Sequence, residues 1–323
     1  MQTTNLSAAE PASLYTRPPT FMDTPYTTDA TGAGAAILGC PFDCGIHPFR
    51  IGARQGPASI REQSGLVRRF HPERADFDVL KALDVVDCGD VRLTSGRIDE
   101  SFAAIEEAAF RIAAAGAVPI GLGGDGSVSL PLVRAASRVH PGLIVLHIDS
   151  HTDAYPADEA YPYDASTQFT HAALEQRIRT GASYHVGLRG TTMRGGVHEH
   201  GRGLGYNLVT LEELWKYGPD PFAAKLKAEF ADNPVYLSWD MDVFDPSCAP
   251  GVCTPVWGGL SAREGMMLMR ALSGLNIVAA DVNTVSPPHD VKGMTAFLAA
   301  AMIYEILLLL LDRPGREPAR VSA

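Results

Sequence analysis

Paired cysteines, basic charge and long uninterrupted apolar runs are all scarce in this chain. The five cysteines, Cys40, Cys44, Cys88, Cys248 and Cys253, are odd in number and scattered. They form no CxxC pairs, which removes a thiolate zinc framework and leaves no sign of a disulfide scaffold; most read as small buried apolar residues. Lysine and arginine total 27 against 37 aspartates and glutamates, and the net charge of −10 argues against nucleic acid or an anionic membrane as the main partner. The N-terminus lacks the basic-then-apolar layout of a signal peptide. The longest greasy run, about 299–311, is interrupted by Glu305 and is too short to span a bilayer. It fits a buried C-terminal helix, and the expectation is a soluble, cytoplasmic protein.

What is present is a regular alternation. Residues 1–34 are rich in Thr, Ala and Pro and read as an arm, loose or packed on a neighbour. From 35 to 323 the chain reads as a single domain, with no linker and no internal repeat. Eight short apolar runs are candidate strands: 35–39, 84–87, 119–122, 143–148, 184–188, 207–209, 235–239 and 277–280. Helical patterns fall at roughly 57–67, 101–115, 129–140, 170–180, 221–231, 261–273 and 293–312, and Ser261 to Glu264 is a capping box. Such alternation predicts a mostly parallel sheet with helices on both faces, and functional groups beyond the C-terminal ends of its strands.

Two of those ends carry the chemistry. After the run Leu143 to Leu146, Asp149, His151 and Asp153 alternate, so an extended backbone points all three the same way. After the run beginning at Val235, Asp240 and Asp242 repeat the pattern. A lone aspartate at a strand end is usually a turn or cap residue. Two alternating sets at buried strand ends are costly unless a cation sits between them. The five residues therefore read as halves of one metal site; oxygen-rich ligation with one imidazole suits Mn²⁺, with Ni²⁺ or Co²⁺ also acceptable. The rival reading is dinucleotide binding, because Gly121 to Gly126 literally matches GxGxxG and Asp149 follows at a suitable distance. Against it, the run follows the third strand, and Asp149 is better explained by His151 and Asp153. His147, two residues before the cluster, reads as core or as an orienting partner of a ligand.

The motifs together resemble the ureohydrolase superfamily, the arginases and agmatinases, and most closely the agmatinase branch. The resemblance rests on Leu38 to Gly45, Gly52 to Arg61, Asp87 to Asp90, Asp149 to Asp153, Ser238 to Pro246 and Ala249 to Pro255. It implies a three-layer αβα fold with an eight-stranded parallel sheet, assembled as trimers or hexamers. It also implies a two-metal centre whose bridging hydroxide attacks a guanidinium carbon. Asp149 and Asp240 would bridge the ions, His151 and Asp242 would complete one shell, and Asp153 would serve the other.

Three departures from the family pattern matter. The GGDH histidine, a ligand to the ion served by Asp153, is Gly126 here. The proton-shuttling histidine of the HGTxF run overlays Ala165, because Asp164 to Phe169 aligns with it without a gap; His171 would need a six-residue slip. The glutamate that pairs with the substrate guanidinium is Thr284, which offers no bidentate charged contact. Val256 likewise replaces the glutamate of the TPExGG loop. Loss of a general acid alone costs roughly 10²–10⁴ in rate. The expected centre is therefore a decayed one holding one or two Ni²⁺ or Mn²⁺ ions, in partial occupancy. The pattern is similar to that of the nickel-dependent metformin hydrolases, built from one competent and one degenerate subunit. It implies a hetero-oligomer, of hexameric type, with a catalytically intact paralogue. A self-sufficient amidinohydrolase using His171 is the alternative.

Overall fold

Runs rich in Val, Ile and Leu become strands, and the amphipathic stretches between them become helices. The computed structural model describes residues 19–44, 49–74, 76–158 and 162–314. In chain order its elements are β1 (Ala35–Cys40), α1 (Gly56–Ser64), α2 (Val79–Ala82), β2 (Val86–Asp90), α3 (Ile98–Ala114), β3 (Val118–Gly123), α4 (Ser129–Val139), β4 (Ile144–Ile148) and α5 (Gln168–Leu174). These are followed by β5 (Tyr184–Leu188), α6 (Val197–Gly203), β6 (Asn207–Thr210), α7 (Leu211–Tyr217), α8 (Pro219–Phe230), β7 (Val235–Asp240), α9 (Ala262–Ala271), β8 (Ile277–Asn283) and α10 (Met294–Leu311).

The strands form one 8-stranded sheet in the order β2-β1-β3-β8-β7-β4-β5-β6, and every neighbouring pair is parallel. One apolar cluster fills the face covered by α1, α2 and α7 to α10; a second fills the face covered by α3, α4 and α5. The expected three-layer αβα fold is the one observed. Strands between the edges are buried along their whole length, as continuous apolar runs require, whereas the edge strands β2 and β6 are half exposed.

The arm read at residues 1–34 divides. Residues 1–18 lie outside the described residues, but the segment after them is anchored to the core. Phe21 and Met22 are buried; the Phe21 N–H donates to Asp87 Oδ2 at 2.8 Å, and the Met22 N–H donates to Ser64 Oγ at 2.8 Å.

The helix α10 is longer than the greasy run that announced it. Its 18 residues are long and apolar enough to cross a membrane, yet 72% of that stretch is buried inside the protein. Its one acid, Glu305, is 3% exposed and is held by the guanidinium groups of Arg74 and Arg270. It is the central helix of one core.

Candidate metal centre

The two acidic strand ends meet because β4 and β7 are hydrogen-bonded neighbours. Their register sets His147 against Ser238 and Ile148 against Trp239, so Asp149 and Asp240 leave the sheet side by side. Both ends then make the same tight turn: Asp149 Oδ1 accepts the His151 N–H at 2.5 Å, and Asp240 Oδ1 accepts the Asp242 N–H at 2.7 Å. An aspartate that binds its own backbone two residues on is a standard way to end a strand. Here it also turns His151 back toward Asp149 and Asp242 back toward Asp240.

Four carboxylates result, Asp149, Asp153, Asp240 and Asp242, all at most 5% exposed. His151 Nδ1 lies 3.3 Å from Asp149 Oδ1 and 3.1 Å from Asp242 Oδ2. Donor atoms of Asp149, His151 and Asp242 all lie within 4.8 Å of one another, as do those of His147, Asp149 and Asp153. Asp149 belongs to both sets and so stands between two positions. Asp240 shares the cavity wall but joins neither set. Neighbouring hydroxyls steer Asp242: Ser150 Oγ donates to Oδ1 at 2.7 Å and Thr254 Oγ1 to Oδ2 at 3.0 Å. Arg189 clamps the adjoining loop, its Nη2 donating to the carbonyls of Asp242 and Val256, each at 2.8 Å.

The electrostatics ask for a cation. Burial and then the charges of neighbouring carboxylates push Asp153 and Asp240 well above the usual carboxylate range. Burial works the same way on Asp149, but the imidazoles of His147 and His151 outweigh it and hold that carboxyl well below its ordinary value. His151 is raised well above an ordinary imidazole: burial opposes its charge, and Asp242 and Asp149 overcome that. Asp149 Oδ2 is buried with no hydrogen-bond partner, with His147 Nε2 3.0 Å away. The oxygen-rich donor set of Asp149, His151 and Asp242, with its one imidazole, fits a divalent ion; the unpartnered Asp149 Oδ2 is beside the other imidazole, His147. His151 and Asp242 open into a cavity of about 380 Å³ that Asp153, Asp240, Ala165 and Thr284 also line.

Two of the three departures from the family pattern line this cavity, and the third packs against one of its acids. A Cβ on Gly126 would lie 2.9 Å from Gln168 Nε2 and 3.1 Å from Asp153 Oδ2, so the glycine sits directly against the acidic cluster. Ala165 and Ser166 line the cavity and His171 does not. The His171 ring packs on Tyr163, with centroids 4.8 Å apart, and its Nε2 bonds the Pro162 carbonyl. Thr284 lines the cavity in the left-handed region at φ 64°, unusual for a β-branched residue. Its hydroxyl donates to Asp240 Oδ1.

The glycine-rich run has a packing explanation. A Cβ on Gly123 would lie 2.4 Å from Asn283 Cβ, so β3 and β8 approach at a distance only glycine allows. The run closes a sheet rather than opening a nucleotide loop.

The arginase family model matches residues 33–309. The chain belongs to the arginase family, the ureohydrolases. It is 34% identical over 288 residues to the mitochondrial agmatinase of Gallus gallus, covering 88% of this chain and 84% of that one. Among solved structures, the proclavaminate amidino hydrolase of Streptomyces clavuligerus superposes with a TM-score of 0.85 at 33% identity, covering 92% of this chain and 97% of that one. The formiminoglutamase of Trypanosoma cruzi, solved with a pair of Mn²⁺ ions, gives a TM-score of 0.78 at 26% identity, covering 87% and 95%.

Sequence reasoning missed Ser150, Thr254 and Gln168, each hydrogen-bonded to an acid of the site. The first two are short hydroxyls beside other motifs and carry no spacing signal. Gln168 occupies the variable position of the HGTxF run, where no residue type is expected.

Proposed function

We propose that this chain is a subunit of a metal-dependent ureohydrolase complex that hydrolyses a C–N bond of a guanidine or biguanide. In this reading the complex is metformin hydrolase-like, and the chain is itself non-catalytic or weakly catalytic. One observation carries the reading: Ala165 and Thr284 on the cavity wall, and Gly126 packed behind Asp153, stand at the positions where family chemistry needs a proton carrier, a guanidinium-binding carboxylate and an imidazole ligand. An ion at Asp149, His151 and Asp242, Ni²⁺ or Mn²⁺ in partial occupancy, would supply Lewis acidity and a lowered water pKa. The chain's own residues would hold it: Ser150 and Thr254 fix both oxygens of Asp242, and His147 flanks Asp149. What they do not supply is a group to donate a proton to a leaving amine, or a charge to orient a guanidinium.

A catalytically intact paralogue would provide both, in a hetero-oligomer of hexameric type. The cytoplasm is the compartment we assign to the complex. The alternative, a self-sufficient amidinohydrolase with His171 as proton shuttle, loses support because that ring faces Tyr163 and Pro162 rather than the cavity.

The test is turnover of the purified chain alone and of the chain co-expressed with an intact paralogue, on agmatine, guanidine and dimethylbiguanide. The expected result is rates at least about 10²-fold below the complex for the isolated chain, as a missing general acid demands, with co-purification of the pair. Full family-level turnover by the isolated chain would refute it.

A further inference from the structure

We propose that Gln168 takes over the space of the missing histidine and serves Asp153 as an uncharged substitute for one ion, making this a one-ion centre. The proposal rests on the reading of the pocket as a metal site, and is independent of whether the chain turns over substrate.

The geometry at Gly126 carries the argument. In a two-ion site, the second position is the one between Asp149 and Asp153, where His147 also offers a ring nitrogen, and residue 126 stands against its Asp153 side. Here a Cβ at 126 would meet Gln168 Nε2 at 2.9 Å, Asp153 Oδ2 at 3.1 Å and the Ala165 carbonyl at 3.3 Å. The volume is occupied by an amide that already bonds the acid: Gln168 Nε2 donates to Asp153 Oδ2 at 2.5 Å. A carboxylate that a cation would otherwise partner is thus given an N–H donor instead.

The amide is held there by more than its own side chain. Gln168 is 2% exposed and is the first residue of α5. The loop after β4 is stitched to that helix start in three places. The Phe169 N–H donates to the Asp153 carbonyl at 3.0 Å, and the Tyr155 N–H donates to the Ser166 carbonyl at 3.0 Å. Thr170 Oγ1 donates to the Tyr155 carbonyl at 2.7 Å. These bonds fix the separation of Asp153 and Gln168 whichever way the amide is turned. Gln168 Oε1 is buried with no hydrogen-bond partner. Turned the other way, the same side chain would present that oxygen to Asp153 and need a proton or an ion between them, and counting ions tells whether an ion is there.

The experiment uses the full chain saturated with Mn²⁺ and freed of excess metal. Metal content is measured by mass spectrometry, and the ion environment by electron paramagnetic resonance. The wild type is expected to retain one ion per chain with the six-line signal of isolated Mn²⁺. Gln168→Glu, which swaps the amide for a carboxylate of the same shape, is expected to retain two. Gly126→His with Gln168→Met is expected to do the same, with the broadened signal of two coupled ions. Two ions in the wild type, or one ion in every variant that folds, would overturn the proposal. The subunit reading is judged separately, by turnover: a one-ion chain with full activity would sink that reading and leave this one standing.

Discussion

Replacing Arg61 by methionine should expose how the edge of the sheet is held. Arg61, on α1, is 6% exposed and faces Asp87, which is fully buried in β2. Its Nε and Nη2 donate to the two oxygens of Asp87 at 2.8 Å and 2.9 Å, and Nη1 donates to Asp90 at 2.5 Å. Removing the cation strands a buried carboxylate, which costs about 3–5 kcal/mol. Two details place the value at the lower end. Asp87 keeps the N–H groups of Phe21 and Gly89, each at 2.8 Å, and Asp90, 42% exposed, returns to water cheaply. The expected loss is therefore about 3 kcal/mol, or a fall in urea midpoint of roughly 1 M for an m-value near 3 kcal/mol/M. The decisive comparison is the double variant Arg61→Met with Asp87→Asn. It removes the stranded charge and should recover to within about 1 kcal/mol of wild type. A double variant as unstable as the single one would mean the effect is lost packing, and the electrostatic account would be wrong.

Two further outcomes follow from the cavity. Burial pushes Asp125 up to about 6; a carboxyl raised in the folded state favours folding fully below its ordinary value and loses that contribution as pH rises through about 6. The shift corresponds to about 3 kcal/mol, so the melting temperature of wild type relative to Asp125→Asn should fall between roughly pH 4 and pH 7; a constant difference would dismiss it. Chelator treatment should lower the melting temperature, and Mn²⁺ or Ni²⁺ at about a hundredfold above its Kd should restore about 2.7 kcal/mol. His151→Ala should erase that response, and an equal response in the variant would place the ion elsewhere.

The strands and both acidic ends were legible because a strand buried on two faces must be an unbroken apolar run, and because alternating acids after such a run have no cheap structural reason. Less legible were α2, α6 and α7. They are one or two turns long and carry too few apolar positions for a period to show, although Thr210 and Glu213 form a capping box at α7. The extent of β8 was also underestimated, because Asp281 and Asn283 are polar. They belong to the strand by virtue of a buried network with Ser129, Ser238 and Tyr236. Gln168 could not be found from its own neighbourhood. Its role is created by an absence at Gly126, far away in the chain, and only the folded arrangement brings the gap and its filler together.

The buried ion pairs of α10 bear on how the chain is made as well as how it is held. It is the last helix among the described residues, and until it docks, its 18 residues present a lipid bilayer with a segment as greasy as an anchor. Glu305 tips the competition. A carboxylate near mid-bilayer is opposed by roughly 3 kcal/mol, whereas Arg74 and Arg270 welcome it in the waiting core. A neutral substitution at that single position would leave a nascent chain with much less reason to prefer its own interior over the nearest membrane.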